Sequence, residues 1–168
     1  MSDQVAAARL QCSMGMEIMP TGLALQAEDH WRARCRGRMP SRADFDLAGF
    51  GPLRQNLVLI DIVGPTHRLR WREVGGAIGA HEGFDPTGRW VEDTLAPDEA
   101  DRMRAFADLT ICERRPTCHS GRWRDSRGHS HRLIRLLVPL CEAGSVVSTL
   151  LGLIDYAPDE IVPLRGAA

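Results

Sequence analysis

The chain contains no lysine: all 21 basic side chains are arginine, set against 22 acidic ones, for a formal net charge of -1 over 168 residues. A near-neutral balance with arginines scattered in ones and twos argues against a dedicated nucleic-acid binder, which concentrates positive charge on one face. The densest stretch, Arg32 to Arg42, is where a nucleic acid would have to bind, and a solvated helix end and loop is its plainer reading. No CxxC spacing occurs among Cys12, Cys35, Cys112, Cys118 and Cys141, so spacing alone builds no zinc finger. An odd set of thiols fits a reducing compartment better than a disulfide framework. No run approaches the roughly 18 apolar residues that span a bilayer, and no basic segment followed by an apolar core opens the chain. These absences predict a cytoplasmic protein that does not engage membranes. Also missing are G-x-S-x-G, a glycine-rich phosphate loop and H-E-x-x-H, which removes the common hydrolase, nucleotide-binding and metalloprotease signatures.

What is present is enough apolar material, 43% of residues, for one globular domain with a buried core. Residues 1–26 mix Met14, Met16, Ile18 and Met19 with glycine and proline and read as a mobile leader, with a short helix at 4–11. A helix is expected over 27–36, with Trp31 and Cys35 on one face and Gly37 as its stop. The organising feature is a hairpin: strand 57–62, a turn at Val63-Gly64-Pro65, then Arg68-Leu69-Arg70-Trp71-Arg72-Glu73-Val74. The period of two sets Leu69 and Trp71 on a dry face, Arg68, Arg70 and Arg72 on a wet one, and Glu73 on the dry face as its single oddity. A short helix follows at 77–81, a turn at 85–88, one or two helical turns at 90–95, and a longer helix at 98–112. That longer helix is introduced by Pro97, with Asp98, Glu99 and Asp101 at its start. Strands are expected at 117–125, 130–140 and 146–155, with turns at 126–128 and 142–144 and a frayed tail at 157–168. With no βαβ alternation, the class is α+β, an antiparallel sheet with helices on one side.

The order of elements and six motifs together resemble a PAS domain, in particular the stand-alone bacterial PAS proteins of the motility-associated type. The motifs are Trp31; Met39-Pro40-Ser41-Arg42-Ala43-Asp44-Phe45-Asp46; Leu57-Val58-Leu59-Ile60-Asp61-Ile62; Leu69-Arg70-Trp71-Arg72-Glu73-Val74-Gly75; and Thr87-Gly88-Arg89 with Val138-Pro139-Leu140. The pattern departs from the family at Leu47, Glu73 and Gly76. The resemblance implies a five-stranded antiparallel sheet flanked by short helices, preceded by an N-terminal helical extension. It also implies a small cavity between sheet and helices that senses a ligand or engages a partner, and no catalytic machinery. The thiol-bearing flavin motif of light-sensing relatives is absent, as is a histidine in the 98–112 helix for haem, so the sequence names no cofactor; flavin held without a covalent link stays open.

On this reading Trp71, Glu73, Ile78, Trp90, Phe106, Leu136 and Leu151 are the candidate cavity residues, one from the apolar side of each element. The competing reading is a fully packed core, since interiors are filled to near crystal density. A Glu73 buried in that core has to be protonated, paired with arginine or matched by a polar ligand. The function expected is a non-catalytic sensory module in bacterial signalling that binds a small ligand, a protein partner or both. A pure interaction or dimerisation module with a filled core is the alternative, with the Trp31 helix and the outer sheet face as the homodimer contact. A further rival is a metal-dependent small-molecule enzyme using Cys118, His119 and His129, with His131 beside His129 in the same candidate metal grouping; solvated histidines beside a turn are the plainer account. Asp44 and Asp46 could suggest acid–base chemistry, but at a turn they serve to cap amides or hold Arg42.

Overall fold

The computed structural model describes residues 22–124, 130–142 and 146–156. The expected helix at 4–11, most of the leader, the 126–128 turn and the tail lie outside them. Five strands form one antiparallel sheet: β1 (Leu57–Val63), β2 (Arg68–Val74), β3 (Thr117–Arg124), β4 (Ser130–Cys141) and β5 (Val147–Tyr156), in the order β2-β1-β5-β4-β3. The first and last strands in sequence are thereby neighbours at the centre. The strands fall within one or two residues of the positions expected from alternation and turn chemistry.

The β1–β2 connection is Gly64–His67, one residue later than the expected turn, with Gly64 at φ 70° and His67 at φ 51°. Arg104 donates to the Thr66 carbonyl and ties this turn to the long helix. The helices are α1 (Gly22–Arg32), α2 (Gly76–Glu82) and α3 (Pro97–Glu113). Pro97 occupies the first turn of α3, where its missing N–H costs nothing, and Asp98 and Glu99 complement the helix dipole. Helix α1 begins five residues before the expected start and ends at Arg32, because the backbone turns at 33–37 rather than continuing to Arg36. Short 3-10 turns occupy Arg42–Asp44, Leu47–Asn56 and Val91–Asp93; the middle one is broken at Gly51, whose φ of 54° is left-handed.

Helices cover both faces of the sheet, not one. On the outer face Ala24, Ala27 and Trp31 of α1, with Phe50 and Leu53, pack onto Leu57, Leu59, Leu136, Val138, Leu151 and Leu153. On the inner face Ile78 of α2, Val91, and Met103 and Ala107 of α3 pack onto Val58, Ile60, Leu69, Trp71, Leu137, Leu150 and Ile154. The physical reason is visible in β1, which reads Leu-Val-Leu-Ile and is buried throughout its first five residues: a strand apolar on both sides needs cover on both. Edge strand β2 is blunted by the segment after Gly83, since Trp71 donates its N–H to the Arg89 carbonyl at 3.0 Å and accepts from Gly88 at 2.6 Å.

Candidate functional site

The position of Glu73 is set by one irregularity. Across the β1–β2 ladder Ile60 faces Trp71, but the next residue of β1, Leu59, faces Glu73, so Arg72 is an extra residue in β2. A bulge of this kind reverses the facing of everything beyond it. Glu73 therefore shares the outer face with Leu59 instead of the inner face with Trp71, and the expected dry-face placement is overturned. Its side chain is 37% exposed and meets Arg54 at 3.3 Å. Glu73, Arg54, Gln55 and Gly75 line a cleft of about 200 Å³ on that side of the molecule. On the same face Asp61, opposite Arg70, holds both Arg70 at 3.1 Å and Arg72 at 3.0 Å, which is how the arginine stripe of β2 is tied down.

The inner-face cavity lies between the sheet and α2, the Val91–Asp93 turn and α3, and its volume is about 30 Å³. Of the seven candidates it brings together Trp71 and Ile78. Phe106 packs against the same core farther along α3. Trp90 is half-buried outside the cavity lining, under the guanidinium of Arg68 at 4.0 Å, so its ring serves a cation–π contact. Leu136 and Leu151 sit on the outer face beneath α1, where they share a core with Val138 and Leu140 of β4 and Leu153 of β5. The walls that sequence reading missed are Val74, Phe84, Leu95, Met103 and Ile154, with Glu82 and Arg135 as its charged members. Arg135 could have been suspected, as the one arginine inside the apolar run from Leu133 to Leu140.

Around Arg135 the inner face is polar. Arg135 of β4 is 9% exposed and pairs with the buried Glu99 of α3. Glu99 also accepts from Arg102 at 2.8 Å and 3.1 Å, so one carboxylate is shared by two guanidiniums. His119 stands opposite Arg135 on β3, and burial, then the neighbouring positive charge of Arg135, push its pKa down. Tyr156 at the end of β5 stacks on His81 at 4.0 Å and donates its hydroxyl to Glu82 at 3.2 Å. Burial raises the Glu82 pKa, with the tyrosine hydrogen bond opposing. The Arg135 Nε–H is buried and has no hydrogen-bond partner among the described residues.

Elsewhere the sequence candidates resolve into structural roles. Trp31, on the buried face of α1, donates its indole N–H to the Pro139 carbonyl at 2.9 Å, so the Trp31 face and the outer sheet face are spent on each other within one chain. Pro40 accepts from the Cys141 N–H at 2.9 Å, fastening the Met39-Pro40 connection to the end of β4. Asp44 takes a bidentate contact from Arg38, 2.9 Å to each oxygen, and the Ser41 N–H at 2.7 Å; these hold its carboxyl well below the usual range. Asp46 caps the Ala48 amide at 2.9 Å. Arg42 bonds the Phe45 carbonyl, so neither aspartate is its anchor. Within the arginine-rich stretch Arg32 pairs with Glu28, and Arg34 donates to the carbonyls of His30 and Asp44. Cys118 and His119 are consecutive on β3 and face opposite sides, Cys118 in the outer core, so they do not converge on an ion. His129 and the side chain of His131 lie outside the described residues, among which no three metal-ligating side chains cluster.

No protein-family model and no curated protein matches the sequence. Solved structures do match in shape. VqmA bound to DPO superposes with TM-score 0.54 at 14% identity, over 66% of this chain and 56% of that one. The PAS domain of BvgS from Bordetella pertussis gives 0.51 at 14% identity, over 62% and 77%. The RsLOV d2 variant gives 0.50 at 14% identity, over 86% and 72%. The fold is the PAS/LOV fold, a five-stranded antiparallel sheet with flanking helices. A flavin does not fit the inner face as it stands: pockets for ligands of that size run to about 300–1,000 Å³, against about 30 Å³ here. Helix α3 also carries no histidine for haem. No described helix is long and apolar enough to cross a membrane.

Proposed function

We propose that this chain is a non-catalytic signalling module of the PAS type that conveys its state by contact with a protein partner or a second copy of itself. The observation that carries the reading is the small inner-face cavity, about 30 Å³ between the sheet and the helices, which leaves no room there for a substrate and its products. A signal then leaves through the surface. The motifs at 31, 39–46, 57–62 and 69–75 support placement among the stand-alone bacterial proteins of the motility-associated type, and the thiols of Cys35 and Cys141 support a reducing, cytoplasmic setting. Fold alone does not assign function, so the test addresses the partner directly. Cross-linking of the full chain in its own cells, followed by reconstitution of the captured complex from purified components, is expected to return a stoichiometric assembly. A chain that stays monomeric and captures nothing reconstitutable contradicts the proposal.

A second reading, a sensor of a small molecule, is supported by one observation: the lining of the inner-face cavity includes the buried Arg135 beside apolar side chains.

A further inference from the structure

Between the end of α1 and the Arg42–Asp44 turn the chain sets five arginines, Arg32, Arg34, Arg36, Arg38 and Arg42. Two of them are neutralised: Arg32 pairs with Glu28, and Arg38 lies bidentate on Asp44. Arg34, Arg36 and Arg42 form no ion pair among the described residues, and the other acids of this stretch, Asp29 and the amide-capping Asp46, reach none of them. Arg34 is also held in place. Half-buried, it lies over the Phe45 ring at 5.0 Å and donates Nε to the Asp44 carbonyl and Nη1 to the His30 carbonyl. Its Nη2 is left with no partner among the described residues, and unlike the Arg42 Nε it is not buried. Arg36 beside it is exposed and makes no hydrogen bond among the described residues. With Ala33, Arg38 and Asp44 these two line an open cleft of about 460 Å³. Three guanidiniums stand there against one carboxylate, whose two oxygens Arg38 already takes. The lining therefore carries an excess of two positive charges on a chain whose net charge is -1.

We propose that this cleft docks an acidic segment of the protein partner, with neighbouring Asp or Glu side chains on Arg34 Nη2 and the Arg36 guanidinium. The inference rests on the contact-module reading above and names the chemistry of the partner. Guanidinium forks match carboxylates in geometry and charge, and a guanidinium fixed before binding loses little freedom when it is used. Complementary charge of this kind selects the partner and speeds encounter. The volume favours a peptide over a lone anion, since a single carboxylate or phosphate leaves most of the cleft to water. Nucleic acid is the poorer match. It engages several phosphates at once and stacks single-stranded bases on exposed rings, whereas the surplus here is two charges and the lining has no aromatic side chain.

The test is an NMR titration of the isotope-labelled full chain with a hexaglutamate peptide, beside hexaglutamine, inorganic phosphate and an oligothymidylate of equal length. Saturable shifts confined to residues 33–38 are expected with hexaglutamate, weakening as salt rises, and none with hexaglutamine. Arg36→Glu should weaken them about ten-fold or more, and because Arg36 holds no other group in place the variant keeps the parent spectrum elsewhere. Arg122→Glu makes the same change of net charge on β3, opposite Arg132 and at the far end of β4 from Cys141, and should leave binding intact. No saturable shift in the parent chain overturns the assignment, as does binding that survives Arg36→Glu or falls equally in Arg122→Glu. An equal response to phosphate reduces the cleft to a general anion site, and tighter binding of the oligothymidylate makes it a nucleic-acid surface; either result also overturns it. Whether a stoichiometric complex is captured from cells is decided by none of these outcomes, so the module reading stands or falls separately.

Discussion

Glu73 shows how a single residue's role is decided by its neighbours in space. Half exposed and singly paired with Arg54, it contributes what a surface ion pair does, so Glu73→Gln should change the free energy of unfolding by no more than about 0.5 kcal/mol, measured in urea. A loss of several kcal/mol would return it to the core. Trp31 is the opposite case: buried, with its N–H on the Pro139 carbonyl, it should lose about 1 kcal/mol as Trp31→Phe and about 3–5 kcal/mol as Trp31→Ala. Glu82 adds a pH-dependent effect. Its pKa is raised in the folded state, so the stability linked to its protonated form is complete below the ordinary glutamate range and declines as pH rises through the folded value. Glu82→Gln keeps an oxygen for the Tyr156 hydroxyl and removes that decline. Its Tm should therefore fall less than the parent's between pH 5 and pH 8, read by thermal melts across that window.

At the scale of elements, alternation and turn chemistry located every described strand, because β1, β2, β4 and β5 are apolar enough for burial to fix their period. The bulge was not legible. Arg68-Leu69-Arg70-Trp71-Arg72-Glu73-Val74 alternates without a break in sequence, and the slip at Arg72 arises from pairing with β1. Deleting Arg72 removes the extra residue and leaves Glu73 opposite Leu59 on the outer face. What goes with it is the ion pair of the half-exposed Arg72 with Asp61, so the deletion should cost no more than about 1 kcal/mol in a urea titration. A loss of several kcal/mol would mean that Glu73 had been driven into the core, contradicting this register. The second cover of the sheet was half legible: the Trp31 helix was expected, but not its seat on the outer face, which separated Leu136 and Leu151 from Trp71. Gly152 marks the centre of the sheet. A Cβ there would lie 2.6 Å from Val58 Cγ2 and 2.9 Å from Leu137 Cδ2, so Gly152→Ala should cost about 1–3 kcal/mol of stability in the same titration.

For the whole molecule, the PAS architecture was readable from motif order, while the size of its interior was not, since volume depends on how Phe84, Leu95 and Met103 close over Trp71. That closure leaves room for a few atoms on the inner face and none for an organic cofactor of flavin size. Native mass spectrometry of the protein purified from its own cells bears on this most directly. The account predicts the polypeptide alone or in assembly with protein, with no retained organic molecule larger than a few heavy atoms. A stoichiometric adduct of flavin size on the folded chain would contradict it.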